Sequence, residues 1–229
     1  DGDLDLALGL FPNSTRLFIN DGSGGFQNSI PIDQDVTFLP YDFSWGDYDG
    51  DGYLDLAEAF PLRREVRIYR NLFPDGVRTR FGEAKTLRTS LFLTPFALDW
   101  GDFDGDGKLD LAVADSPLKI YRYVDGRFEP GLSLPGGTLR GQLWSLRGVD
   151  LDGDGTPEIS LTNRDGPSQL FETFAPMLSP ALTPIPAAIP ASGVTWGDVD
   201  SDGDLDLLVS AASPNLGPDA FASKLYFNV

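Results

Sequence analysis

The chain has 229 residues, 41% of them hydrophobic, with 16 Phe, 7 Tyr and 4 Trp, so it can bury a core and disorder is excluded. Its net charge of −18 excludes nucleic acid as a partner, because phosphate binding needs a basic face. With no Cys and no His, disulfides, thiolate chemistry, His-based triads and His-ligated zinc are excluded, leaving carboxylates for metal or acid–base work. Apolar runs are a few residues long, against the roughly 20 a membrane helix needs, so no membrane insertion is expected. No signal peptide is visible, and the sequence opens at Asp1 inside a motif. A mature or partial chain is the expectation.

In chain order, the first element is the tail of a repeat, Asp1-Gly2-Asp3-Leu4-Asp5-Leu6. A β-branched, alternating stretch follows, Arg16-Leu17-Phe18-Ile19-Asn20, then the turn Asn20–Gly25 and Phe26. The first complete repeat is Trp45-Gly46-Asp47-Tyr48-Asp49-Gly50-Asp51-Gly52-Tyr53-Leu54-Asp55-Leu56, followed by Arg67-Ile68-Tyr69-Arg70-Asn71, the turn Pro74-Asp75-Gly76 and Phe81. The second is Trp100-Gly101-Asp102-Phe103-Asp104-Gly105-Asp106-Gly107-Lys108-Leu109-Asp110-Leu111, followed by Lys119-Ile120-Tyr121-Arg122, Asp125-Gly126 and Phe128. The third is looser, from Asp150 through Asp152 and Asp154 to Glu158, with Gln169-Leu170-Phe171-Glu172 after it. It lacks a Trp in register, Trp144 standing four residues too early, which predicts an irregular entry to that loop. Residues 174–195 carry Pro176, Pro180, Pro184, Pro186 and Pro190, predicting an extended edge segment or surface loop. The fourth is Trp196-Gly197-Asp198-Val199-Asp200-Ser201-Asp202-Gly203-Asp204-Leu205-Asp206-Leu207, followed by Lys224-Leu225-Tyr226-Phe227-Asn228.

The third Asp of successive copies falls at Asp1, Asp51, Asp106, Asp154 and Asp202, a spacing of 50, 55, 48 and 48 residues. Such a period marks a solenoid, an array or a propeller. Each unit holds about four short strands between Gly- and Pro-rich turns, without a 3.6-residue apolar period. The predicted fold is therefore all-β. It is a β-propeller of four-stranded antiparallel blades with about five repeats in one domain over residues 1–229. A lone blade cannot bury both faces, and the Trp before each loop is the expected wedge between neighbours.

The spacing Asp-x-Asp-x-Asp-Gly-x-x-Asp lets alternate side chains of a curled loop converge on one point. Gly at the sixth position permits the turn. Several hard oxygen donors suit Ca²⁺ better than Mg²⁺ or a softer metal. The predicted ligands are Asp47, Asp49, Asp51, the carbonyl of Tyr53 and Asp55; Asp102, Asp104, Asp106, the carbonyl of Lys108 and Asp110; Asp150, Asp152, Asp154, the carbonyl of Thr156 and Glu158; and Asp198, Asp200, Asp202, the carbonyl of Asp204 and Asp206. The truncated first copy keeps Asp1, Asp5 and the carbonyl of Asp3, and is expected empty or weakly bound. The four full loops hold 16 of the 35 acidic side chains, and four Ca²⁺ would move the net charge from −18 to −10. Unscreened, these carboxylates repel, so folding should depend on calcium. Asp47–Glu58 also fits the EF-hand pattern. The other copies place Val113, Leu161 and Val209 where Glu58 stands, and Pro40, Gly46 and Pro61 oppose flanking helices.

The Trp-Gly-Asp-Tyr-Asp-Gly-Asp-Gly-Tyr-Leu-Asp-Leu phrase resembles the FG-GAP/VCBS repeat of integrin α-subunit propellers and of many bacterial surface proteins. Arg-Ile-Tyr-Arg-Asn and Asn-Asp-Gly-Ser-Gly-Gly-Phe match the bacterial branch. The resemblance covers essentially the whole chain. It implies a propeller whose hairpin loops hold Ca²⁺, an extracellular or cell-surface setting, and a role in adhesion or ligand binding. Such propellers commonly have seven blades, so these repeats are expected to belong to a larger ring or to close with fewer blades. Thr156-Pro157-Glu158 departs from the family's x-Leu-Asp.

Beyond calcium, the expected function is a binding or structural module whose partner is a glycan, a cell-surface protein or further copies of itself. The alternative is a carbohydrate-active enzyme, a lyase or hydrolase, whose acids would come from Glu65, Glu83, Glu129 or Glu172. Tyr41 and Phe73 are candidate sugar platforms. Arg63, Arg64, Arg67, Arg70, Arg78, Arg80 and Arg88 crowd one stretch and suggest a patch for an anionic partner, or simple charge balance in an acidic protein. Asn13-Ser14-Thr15 is an N-glycosylation sequon.

Overall fold

A computed structural model describes residues 2–10, 14–33, 38–72, 81–89, 97–115, 118–133, 143–163, 168–174, 177–180, 191–211 and 223–228. The described strands form five antiparallel sheets, each built from strands consecutive in the chain. Blade 1 is β1 (Leu6–Leu10), β2 (Ser14–Ile19) and β3 (Asn28–Pro31). Blade 2 is β4 (Asp42–Gly46), β5 (Asp55–Phe60), β6 (Glu65–Tyr69) and β7 (Lys85–Arg88). Blade 3 is β8 (Leu98–Gly101), β9 (Asp110–Val113), β10 (Lys119–Val124) and β11 (Arg127–Ser133). Blade 4 is β12 (Leu143–Val149), β13 (Glu158–Asn163), β14 (Gln169–Phe174) and β15 (Met177–Pro180). Blade 5 is β16 (Ala191–Gly197), β17 (Asp206–Ala211) and β18 (Lys224–Tyr226). Five repeating sheets of this kind make the chain a β-propeller of repeated blades, as the 50-residue period predicts. Among the described residues no helix is long and apolar enough to cross a membrane.

The core lies between blades rather than within one. β5, β9 and β13 are buried along their whole length, since each faces a neighbouring blade on both sides. Their alternation therefore sorts residues between two interfaces. Leu56 of β5 joins Leu17 and Ile32 of blade 1, while Ala57 and Ala59 join Leu111 and Val113 of blade 3. Ala112 and Ile120 of blade 3 meet Leu146 and Ile159 of blade 4. Leu170 of blade 4 packs on Val194 and Leu207 of blade 5.

The indoles do cross these interfaces. Trp100 Nε1 donates to the Ser44 carbonyl of blade 2 at 3.2 Å, and its ring stacks on Tyr48 at 5.8 Å between centroids. Trp196 Nε1 donates to Ser160 Oγ of blade 4 at 3.0 Å. Close approach requires Gly46, where an added Cβ would stand 2.6 Å from Trp100 Cγ. Strand register shows what replaces the missing indole of blade 4. Trp45, Trp100 and Trp196 pair with Leu56, Leu111 and Leu207, and Gly148 pairs with Ile159 in the same place. Phe103 fills the gap: it is fully buried, and a Cβ on Gly148 would come within 3.0 Å of its ring. The expected irregularity of that copy is displaced. It is a bulge between Leu143 and Ser145, at the end of β12 remote from the loop, and β16 carries a matching one between Ala191 and Gly193. Trp144 sits in the bulge, 40% exposed. The proline-rich segment contributes β15, which pairs only with β14 at the edge of its sheet; its residues 181–190 lie outside the described residues.

Each hairpin loop turns through left-handed glycines: Gly50, Gly105 and Gly153 have φ of 74°, 72° and 74°. In the last loop Ser201 takes that place at φ 65°. A β-carbon there costs on the order of 1 kcal/mol. Ser201→Gly is expected to raise stability by about 1 kcal/mol, read as a higher urea midpoint with an unchanged slope.

Candidate metal centre

The loops joining the first and second strands of blades 2 to 5 run over residues 47–55, 102–110, 150–158 and 198–206; each is named here by its blade number. In every one, three carboxylates converge: Asp47, Asp49 and Asp55; Asp102, Asp104 and Asp110; Asp150, Asp152 and Glu158; Asp198, Asp200 and Asp206. One oxygen from each lies within 4.8 Å of the others in its set.

The first carboxylate shapes the loop. Asp47 accepts from the N–H groups of Asp51 and Gly52 at 3.0 and 2.8 Å, and Asp102 from Asp106 and Gly107 at 3.0 and 2.8 Å. Asp150 accepts from Gly153 and Gly155, and Asp198 from Gly203. The ninth-position carboxylate is fixed by the sheet. Asp55 Oδ2 accepts from Tyr48 N–H at 3.2 Å and its Oδ1 from Asn71 N–H at 2.7 Å. Asp206 accepts from Val199 and Asn228 in the same way, and Glu158 from Leu151. The longer Glu158 thus does the work of Asp at this position.

The fifth carboxylate is placed differently. Asp51, Asp106, Asp154 and Asp202 stand outside the converging sets. Each turns Oδ1 to the N–H two residues on: Tyr53, Lys108, Thr156 and Asp204, at 3.0, 3.0, 2.7 and 2.9 Å. The seventh residues, predicted as carbonyl donors, therefore have their N–H groups engaged inside the turn. Of the truncated copy, Asp1 lies outside the described residues, whereas Asp5 Oδ1 accepts from Asn20 N–H at 2.8 Å as Asp55 does from Asn71.

Two buried oxygens, Asp49 Oδ1 and Asp110 Oδ2, have no hydrogen-bond partner. An unpaired carboxylate oxygen out of water is costly. Burial pushes the Asp55 carboxyl up to about 7, with the charges of Asp49 and Asp51 adding to it. Burial likewise pushes Asp110 up to about 7, helped by Asp104, Asp106 and Asp102. A hard cation at the point of convergence supplies the missing partner, so these residues fit a metal ion.

The EF-hand alternative fails on its flanks and on Glu58. The loop is entered by β4 and left by β5. Glu58 lies on β5 opposite Phe43 and Arg67, fully buried at the interface of blades 1 and 2, where burial pushes it up to about 8. The arginine-rich stretch is mostly paired. Arg67 is held by Glu65 at 2.8 Å and by Asp33, Arg88 meets Glu65 at 2.8 Å, and Arg70 binds loop 2. Asn13, Phe73, Arg78 and Arg80 lie outside the described residues. Sequence reasoning missed a cleft of about 660 Å³ between loops 2 and 3, lined among others by Asp49, Asp102, Lys108 and Tyr123. It arises from the packing of two blades, which leaves no motif.

Comparison with known proteins bears on the fold. A crystal structure of BBS1N in complex with ARL6DN, soaked with lead, matches with a TM-score of 0.55 at 14% identity, over 90% of this chain and 53% of that one. The same complex soaked with mercury gives 0.54 at 14%, over 90% and 57%. A chain from an active polycomb repressive complex 2 in the basal state gives 0.53 at 14%, over 91% and 39%. This chain therefore spans little more than half, or less, of those it matches. No curated protein matches it. The FG-GAP-like repeat model matches residues 1–57 and 102–160, just over half of the sequence, and covers loops 2, 3 and 4 entirely. Repeated blades, recurrent acidic hairpin loops and this match together place the chain in the FG-GAP-like repeat family.

Proposed function

We propose that the chain is an extracellular calcium-binding propeller that works as a binding or adhesion module, with a Ca²⁺ ion in each of loops 2 to 5. The observation that carries this is the fourfold convergence of carboxylate oxygens within 4.8 Å, with Asp49 Oδ1 and Asp110 Oδ2 buried and unpartnered. The carboxylates of Asp51, Asp106, Asp154 and Asp202, the carbonyls of Tyr53, Lys108, Thr156 and Asp204, and solvent complete each oxygen shell. Extracellular calcium is abundant, so modest affinity suffices, and each bound ion stiffens a hairpin next to an inter-blade core.

The partner is proposed to be an acidic glycan. It would meet the face remote from the calcium loops, where Tyr41 and Leu62 are 60% and 67% exposed. Arg63 stands over the Phe38 ring at 5.1 Å, and Arg64 closes the β5–β6 turn in a left-handed conformation. Aromatic faces with guanidinium groups suit sugar rings bearing carboxylate or sulfate. A catalytic role finds less support. Glu65 is occupied by Arg67 and Arg88, and Glu129 and Glu172 stand on different blades. Binding to an immobilised sulfated or uronic glycan should fall by roughly tenfold in Tyr41→Ala/Arg64→Ala. Equal binding by the double variant would remove this face from the account. Absence of glycan binding by the calcium-saturated parent would leave a protein partner or self-assembly.

A further inference from the structure

The four loops share a ligand pattern but not a setting. In register opposite the ninth loop position, one residue beyond the Leu56–Tyr69 pair, blade 2 carries Arg70. Its guanidinium spans two loop carboxylates, Nε on Asp49 Oδ2 and Nη2 on Asp51 Oδ2, the latter at 2.8 Å. Blade 3 places Arg122 in the same register, with Nη1 3.3 Å from Asp104 Oδ2. The equivalent residue is Glu172 in blade 4 and Phe227 in blade 5.

Arg70 takes Oδ2 of Asp49 and leaves Oδ1, the buried atom without a partner, for an ion. The guanidinium therefore does two things. It offsets the mutual repulsion of the loop carboxylates, and it fixes the side chain that must meet the ion. Groups bonded to the ligands rather than to the ion orient those ligands before a metal arrives. Loop 5, with Asp198, Asp200, Asp202, Asp204 and Asp206, has five carboxylates and a phenyl ring where loop 2 has its arginine. Loop 4 has a further acid in that register.

We propose that Arg70 and Arg122 are positioning residues that steady loops 2 and 3 in their metal-competent shape without an ion, whereas loops 4 and 5, which converge in the same way but lack such a cation, hold that shape less firmly until an ion binds. This rests on the metal reading of the loops. Its consequence is a propeller whose blades differ in their dependence on calcium, so that falling calcium loosens blades 4 and 5 before blades 2 and 3.

Amide hydrogen exchange on the whole chain, resolved to peptides covering the four loops, tests this in chelator and in saturating calcium. In chelator, loops 2 and 3 should exchange roughly tenfold more slowly than loops 4 and 5, the scale of a charge-assisted contact. Arg70→Gln should erase the protection of residues 47–55 and leave residues 102–110 unchanged. Phe227→Arg should confer protection on residues 198–206. Arg70 is half-exposed and Phe227 is exposed, so both variants should fold. Uniform exchange of the four loops in chelator, or an Arg70→Gln profile equal to the parent, overturns the latch. If calcium adds protection to none of the four loops, the metal reading itself fails, a distinct outcome.

Discussion

Phe103→Ala is expected to cost about 3–5 kcal/mol, the upper range for a buried aromatic, seen as a large drop in the urea midpoint. Phe103 comes from the second position of loop 3, yet it fills the space that an indole occupies at other interfaces. It is fully buried among Ala112, Leu146 and Ile159. The ring is clamped between two glycines: a Cβ on Gly101 would lie 2.8 Å from its Cζ, and one on Gly148 3.0 Å from its edge. Neither strand can collapse far into the space, because each is held by its own sheet. A double-mutant cycle sharpens the point. Gly148→Ala should destabilise the parent by about 1–3 kcal/mol through overpacking but cost little in a Phe103→Ala background. Additive losses would mean that the two residues do not share this space.

The second large effect is a loss of metal-free stability with rising pH that calcium offsets. Asp55 and Asp110 titrate near 7 in the folded, metal-free chain, against an ordinary value of 3.8. Glu58 is raised from 4.5 to about 8. A carboxyl whose folded pKa is raised binds more protons in the native state than in the unfolded one. Its favourable contribution is complete below the unfolded pKa and is lost as pH rises through the folded one. The metal-free protein should therefore lose stability between about pH 4 and pH 8, by on the order of 2–4 kcal/mol per group. Calcium binds the ionised carboxylates of Asp55 and Asp110, so its affinity should rise across the same window. Thermal melts in chelator should fall from pH 5.5 to pH 7.5, and the increment from added calcium should grow. A metal-free melting temperature that rises with pH would contradict the burial of these carboxylates.

Much of this was legible in the sequence for a physical reason. Position 9 accepts backbone N–H groups, two each at Asp55 and Asp206, position 6 must be Gly to turn, and Leu-Asp-Leu must alternate between an interface and the loop. Each constraint acts within a dozen residues and recurs, so Asp55, Asp110 and Asp206 stand out in the sequence. What escaped depends on neighbouring blades. The absent Trp of blade 4 looks like a defect until Phe103 is seen to reach Gly148 from blade 3. Arg67 looks like surface charge, yet burial between Asp33 and Glu65 makes it part of the scaffold. Arg70, half-exposed just past the end of β6, faces the loop instead.

The proposed function stands on ion binding in the hairpin loops, and counting the ions by native mass spectrometry tests it most directly. In about 1 mM calcium, within the range that extracellular modules bind, the chain should carry four ions, one for each converging set. Asp49→Asn and Asp110→Asn should each remove one. A chain that carries no calcium under those conditions, or a count that neither substitution changes, would contradict it.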